Sequence, residues 1–147
     1  MFGSVSRVSE SVVINATQSK VWQKVQSLDL SFWSEVVSVE PSSSAANASG
    51  LAIGSTRTVT FKDGTVQIYR VVEVSELEHS ISYELVESTP PVSYMSSIST
   101  IKVMAVTSND SAFVMWSSLF SSDGGVEVTE DSKFKKRDAL ADLAASF

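Results

Sequence analysis

Arg57 lies within Thr56-Arg57-Thr58-Val59-Thr60-Phe61. Successive strand side chains alternate, so the arginine shares a face with Val59 and Phe61 and the threonines take the other. A guanidinium on an apolar face cannot shed its proton to escape desolvation, and leaving it unpaired there costs several kcal/mol. It needs a partner, water or a ligand. The same alternation over Ser80 to Glu87 sets Tyr83 beside Ile81 and Leu85, and the phenol also faces the apolar side. A tyrosine ionises near pH 10, so proton transfer through it requires a nearby cation such as Arg57. Around Tyr69 two readings stand open: parity groups Val66, Ile68, Val72 and Val74 with Arg70 and favours Arg70 as the inward residue, while Tyr69 and Val71 form the opposing set. On the last strand Val114, Trp116, Ser118 and Phe120 share a face. Two readings of Arg57 stand side by side: it polarises a carbonyl, sulfinyl or carboxylate group of a ligand, or it pairs with a glutamate across the sheet while the aromatics fill a core.

The rest of the titratable inventory offers little chemistry. The sequence has no cysteine and one histidine, so disulfides, thiolate zinc sites, cysteine nucleophiles and Ser-His-Asp catalysis lose their parts. His79 stands in the charged corner Glu76-Leu77-Glu78-His79 and reads as an exposed turn residue. Glu127, Glu130 and Asp131 lack the alternating ligands and glycine turn of a calcium loop, and no metal or cofactor is expected. Lys133, Lys135, Lys136 and Arg137 form the one basic cluster and read as a solvated helix face. Eleven Lys plus Arg against 17 Asp plus Glu give a net charge of -6, which disfavours nucleic acid and anionic membranes. No apolar run approaches the roughly 18 residues of a membrane span. The N-terminus has no basic start with an apolar stretch, and a cytoplasmic location is the expectation.

These residues need elements to position them. With 147 residues, 43% of them hydrophobic, the chain has enough material for one packed domain, expected to span residues 1–147. Arg7 to Ala16 reads as a strand, and Thr17 as the cap of a helix whose apolar residues Val21, Trp22, Val25 and Leu28 form one stripe. Asp29 to Glu35 reads as a second short helix burying Phe32 and Trp33. Val36 to Glu40 is a weak strand, and Pro41 to Gly50 a mobile polar loop. A series of strands follows, over Ser55 to Phe61, Val66 to Val74, Ser80 to Glu87, Met95 to Val106 and Ala112 to Ser121. Turn chemistry at Asp63-Gly64, Pro90-Pro91 and Asn109-Asp110 breaks them into an antiparallel meander. Val126 to Thr129 extends the last strand, Thr129 opens an acidic helix start, and the final helix carries Phe134, Leu140, Leu143, Ala144 and Phe147. This α+β order requires the sheet to bury one face under helices.

The order of elements, with Ala16-Thr17-Gln18-Ser19-Lys20-Val21-Trp22 opening a helix and Phe32-Trp33 after it, resembles the START-like superfamily of polyketide cyclases, lipid-transfer domains and birch-pollen-allergen proteins. Gly54-Ser55-Thr56-Arg57, Asp63-Gly64, Tyr83, Pro91-Val92, Tyr94 and Trp116-Ser117-Ser118-Leu119-Phe120 are similar to the polyketide cyclase/dehydrase branch, which also holds plant lachrymatory factor synthases. The resemblance implies a helix-grip fold, a curved antiparallel sheet wrapped around a C-terminal helix with an apolar pocket between them. It also implies a pocket lined by Trp33, Phe61, Trp116, Phe120 and Leu140, with Arg70 as a further contact and Arg57, Tyr69, Tyr83 and Tyr94 as the polar machinery. Where synthase-like members place a glutamate, Tyr69 stands, which leaves no carboxylate for proton transfer. The final helix looks short for the family. The function implied is a cofactor-free lyase, cyclase or isomerase acting on a small, partly apolar substrate, or a carrier of a small apolar or amphipathic ligand.

Overall fold

The computed structural model describes residues 5–41, 53–94, 96–121 and 125–147. β-Branched runs and turn residues build the elements in the order β1 (Val5–Ile14), α1 (Gln18–Val25), a single 3-10 turn (Leu30–Phe32), β2 (Val36–Pro41), β3 (Thr56–Phe61), β4 (Val66–Ser75), β5 (Ser80–Thr89), β6 (Ser97–Val106), β7 (Ser111–Ser121) and α2 (Gly125–Ala145). The strands form one antiparallel sheet in the order β1-β7-β6-β5-β4-β3-β2. β2 to β7 run as a meander. β1 returns to the far edge and pairs with β7 from Val5 opposite Ser121 to Ile14 opposite Ala112. The connection from β1 to β2 must therefore cross the whole sheet. α1 and the 3-10 turn make that crossing and cover one end of the inner face, with α1 packed on β6 and β7 and α2 packed on β1.

α1 starts at Thr17, whose hydroxyl accepts from the Lys20 amide, and buries Val21, Trp22 and Val25. The chain leaves the helix at Leu28, a fully buried residue held at φ 51°. A left-handed conformation costs a leucine about 1–2 kcal/mol, and burial of its side chain offsets this by a similar amount. The floor under α1 is solid: Ile14, Val59, Val71, Ile81, Ile101 and Val103 are essentially inaccessible to solvent. The C-terminal half of α2 closes the same core with Ala139, Leu140 and Leu143.

Three local expectations give way to tertiary structure. The second helix is only the 3-10 turn, capped by Asp29, whose carboxylate accepts from the Ser31 amide at 3.1 Å. Val126 to Thr129 is not a strand, because α2 begins at Gly125 and runs for 21 residues. The final helix therefore starts four residues before Thr129, the start read from the sequence. Valine and threonine sit below good helix formers by only about 0.5 kcal/mol each, less than docking α2 against the sheet supplies. On β4 the register slips between Val71 and Glu73, opposite Tyr83 and Ser82. The bulge reverses side-chain parity along the strand. Tyr69 and Val71 are consequently buried and Arg70 is exposed, the reverse of the simple alternation. The serine-rich stretch expected to be a mobile loop lies, apart from Pro41, outside the described residues, as do Met95 and Asp123-Gly124.

Candidate functional site

Beyond the solid half, the space between the sheet and the N-terminal half of α2 is a cavity of about 680 Å³. Its size follows from side-chain choice along α2. Leu143, Leu140 and Ala139 fill the far end, whereas Lys136, Ser132 and Val128 occupy the same face nearer the N-terminus and leave room. All three tyrosines of the sequence, Tyr69 on β4, Tyr83 on β5 and Tyr94 before β6, line the cavity. Trp33, Phe61, Trp116 and Phe120 complete the aromatic wall.

The rings brace one another. Trp33 meets Phe61 edge-on at 5.3 Å between centroids and Trp116 at 6.3 Å. Tyr69 and Tyr83 lie 4.9 Å apart, and Tyr94 packs on Phe120 at 4.9 Å. Such contacts add about 0.5–1.5 kcal/mol each beyond burial. Trp33 is held from above, because its indole N–H donates to Asp138 on α2 at 3.2 Å. The next residue, Ser34, donates through both its amide and its hydroxyl to Asp142, each at 2.8 Å. These three bonds pin the 3-10 turn to α2 and fix one side of the cavity.

Polar groups inside the wall are paired. Trp116 donates its indole N–H to the Tyr83 hydroxyl at 3.0 Å, the hydroxyls of Ser99 and Ser118 lie 2.6 Å apart, and Tyr69 donates to the side-chain carbonyl of Gln67. Burial pushes the phenols of Tyr69 and Tyr83 well up from their ordinary range, and that of Tyr94 up as well. All three remain protonated at neutral pH. They are hydrogen-bond donors and not bases.

The buried cation of the cavity is Lys136, while Lys135 lines the mouth exposed. Only 8% of the Lys136 surface is exposed. Its ammonium donates to Ser132, one turn earlier, at 2.8 Å and lies 5.8 Å from the Trp116 ring centroid and 5.9 Å from that of Phe120. It makes no ion pair among the described residues. Burial lowers its pKa to about 8, against the opposing pull of Asp131 and Glu10. Carboxylates sit at the mouth instead, where Glu35, Asp63, Glu127 and Asp131 are exposed members of the lining.

Arg57 is elsewhere. It does share the inner face with Val59 and Phe61, but Val59 seals the strand between it and the cavity. Its guanidinium donates to the carbonyls of Ser27 at 3.3 Å and Thr56 at 3.1 Å, clamping the turn after α1. Desolvation lowers its pKa and Asp29 opposes this. Backbone carbonyls thus fill the partner's role that a glutamate or a ligand was expected to take. Arg70 points to solvent and pairs with Glu84 at 3.0 Å, and Leu140 is core beneath the cavity and not part of its lining. His79 is half-buried, not exposed, with its ring edge-on to Trp22 at 5.6 Å and 3.3 Å from the Gln18 amide, outside the cavity. The residue missed in the sequence is Lys136. Its signal was present, since Lys136 stands on the helical stripe of Ser132, Leu140 and Leu143 and so on the buried face. Among the described residues no cluster of His, Cys, Asp or Glu is arranged to hold a metal ion, and no helix is long and apolar enough to cross a membrane.

Comparison with known proteins agrees with this architecture. The family model for polyketide cyclase / dehydrase and lipid transport matches residues 6–146. No curated protein gives a match. Among solved structures, a structural-genomics protein from Nitrosospira multiformis is 26% identical, with 97% of this chain and 96% of that one covered and a TM-score of 0.83. Major latex-like protein 151 from Panax ginseng is 11% identical over 97% of both chains with a TM-score of 0.74, and Ara h 8.0201 is 15% identical over the same shares with the same score. At those identities these two structures share the helix-grip fold alone. The family match spans nearly the whole described chain and supports a ligand-binding or cyclase-like role. The chain belongs to the polyketide cyclase/dehydrase and lipid transport family.

Proposed function

We propose that the cavity takes up a small, uncharged, largely apolar molecule bearing a carbonyl group, and that the protein is a cofactor-free enzyme of the lyase, cyclase or isomerase kind. The carrying observation is that three protonated phenols and one buried ammonium line a cavity with an aromatic wall, the Tyr69 phenol being bonded to Gln67. Donors aimed at one end of an apolar site lower the energy of negative charge developing on a carbonyl oxygen, and they do so most strongly where water is excluded. The volume suits a molecule of drug-like size, within the roughly 300–1,000 Å³ of small-molecule sites. Uncharged ligands are favoured because the mouth carries Glu35, Asp63 and Glu127, which repel an incoming carboxylate, while Asp131 there is paired with Lys135.

A carrier role is the second reading, favoured because the described lining carboxylates are exposed or, in half-buried Asp138, engaged by the Trp33 indole. Binding is common to both readings and is tested first. Trp33 and Trp116 line the cavity, so quenching of intrinsic fluorescence reports occupancy. A naphthyl ketone should bind more tightly than the matching hydrocarbon or carboxylate, and Tyr83→Phe should reduce the preference for the ketone. No quenching by any member of this panel would defeat both readings. The two then part on turnover, measured as chemical change of bound ketones and aldehydes over hours at neutral pH.

A further inference from the structure

Lys136 is an anomaly on its own helix. It occupies the buried stripe between Ser132 and Leu140, where a leucine or methionine would pack at lower cost, because an ammonium taken out of water without a carboxylate partner is destabilising. Its neighbour Lys135, by contrast, is exposed and pairs with Asp131 at 2.8 Å. A lysine that is buried, lines a cavity, and meets only one hydroxyl and two aromatic rings is in the environment that turns an amine into a nucleophile.

We propose that the Lys136 amine forms an imine with an uncharged aldehyde or ketone held in the cavity. This rests on reading the cavity as a site for an apolar carbonyl compound, and adds a covalent step to it. The nitrogen lone pair attacks the carbonyl carbon and forms the C–N bond, while the π pair moves to oxygen. A proton passes from nitrogen to that oxygen, giving a carbinolamine. The hydroxyl then leaves as water after gaining a second proton, and the nitrogen lone pair closes the C=N bond. The second proton is the one the ammonium gives up on becoming the free amine, so ammonium plus carbonyl gives protonated imine plus water, and nothing is oxidised or reduced. Ser132, 2.8 Å from the nitrogen, is placed to relay the proton, and the Tyr83 hydroxyl, which accepts from Trp116 and keeps its own hydrogen, is a donor for oxygen. The iminium charge that results stands where the ammonium stood, over Trp116 and Phe120.

Burial also supplies reactive amine at neutral pH. With the pKa lowered to about 8, about one molecule in ten carries the free amine at pH 7, against about one in three thousand at the ordinary 10.5. The charged groups acting on Lys136 are Asp131 and Lys135 on α2 and Glu10 on β1, while β7 presents to it only the two rings.

The test uses the full chain with 6-methoxy-2-naphthaldehyde and sodium cyanoborohydride at pH 7.5, with the reduced adduct mapped by tandem mass spectrometry. Binding of the matching alcohol, which cannot form an imine, is followed by tryptophan quenching. The expected result is an adduct at Lys136 that forms at least about tenfold faster than any at Lys133 or Lys135, because of the three only Lys136 is buried in the cavity. Lys136→Arg and Lys136→Met should give no such adduct, whereas Lys133→Arg, which lies outside the cavity lining, should be labelled at Lys136 as fast as the wild type. Label confined to surface lysines while the alcohol binds would overturn the imine and leave the cavity reading standing. Failure of both aldehyde and alcohol to bind would overturn the two together.

Discussion

Replacing Lys136 by methionine should make the protein more stable at neutral pH and less responsive to alkali. In the unfolded chain this lysine titrates at the ordinary 10.5, whereas burial lowers it to about 8 in the fold. At about 1.4 kcal/mol per pKa unit, that gap corresponds to about 3 kcal/mol of penalty on the charged folded form. Below pH 8 both states hold the proton and the fold bears the whole penalty. Between pH 8 and 10.5 the unfolded state binds more protons than the native state, so stability rises with pH. Raising the pH from 7 to 9.5 should therefore stabilise the wild type by about 2 kcal/mol through this one group. Stopping there keeps the phenols protonated, since their raised pKa values would act in the opposite direction above pH 10. Urea unfolding of wild type and Lys136→Met at both pH values isolates the effect. The variant should be more stable at pH 7 by a few kcal/mol, with the advantage shrinking by about 2 kcal/mol at pH 9.5. An advantage that is absent, or unchanged across that range, would mean that Lys136 is not held charged in a desolvated site.

Three further outcomes follow from the contacts. Arg57→Leu should leave ligand binding in the cavity unchanged and destabilise the fold by about 1.5–3 kcal/mol, because the guanidinium bonds to the Ser27 and Thr56 carbonyls are lost; a large loss of binding with stability retained would return Arg57 to the site. Tyr83→Phe should cost about 1–3 kcal/mol in chemical denaturation by leaving the Trp116 indole N–H without its acceptor, and no change in stability would show that water replaces the phenol. Spectrophotometric titration of tyrosinate at 295 nm should show Tyr69 and Tyr83 ionising only on alkaline unfolding, since burial raises both; a reversible transition of either near pH 10 in the folded protein would contradict their enclosure.

Much of this fold was legible in residue order. The stripe of Val21, Trp22 and Val25 specified α1, and turn residues separated the strands of the meander within a residue or two of their observed ends. Strand alternation placed Tyr83, Trp116 and Phe120 on the inner face correctly, and the resemblance to a known family anticipated the aromatic wall. Two positions lay beyond the reach of alternation, for different reasons. Alternation assigns a face and says nothing about position along it, so Arg57 was set on the correct side of β3 without any indication that Val59 would separate it from the hollow end. On β4 both faces are rich in valine and isoleucine, and the bulge that turns Tyr69 inward has no composition of its own.

Sequence by itself determined the periodicities, and through them which elements form and which side of each is apolar, because those depend on neighbours a few residues away. Only the tertiary structure decided where the interior is filled and where it is empty. That outcome depends on which side chains meet across the gap from sheet to helix, a contact between residues far apart in the chain. There Leu140 and Leu143 close one end, while Lys136 is left as the charge that faces the open one.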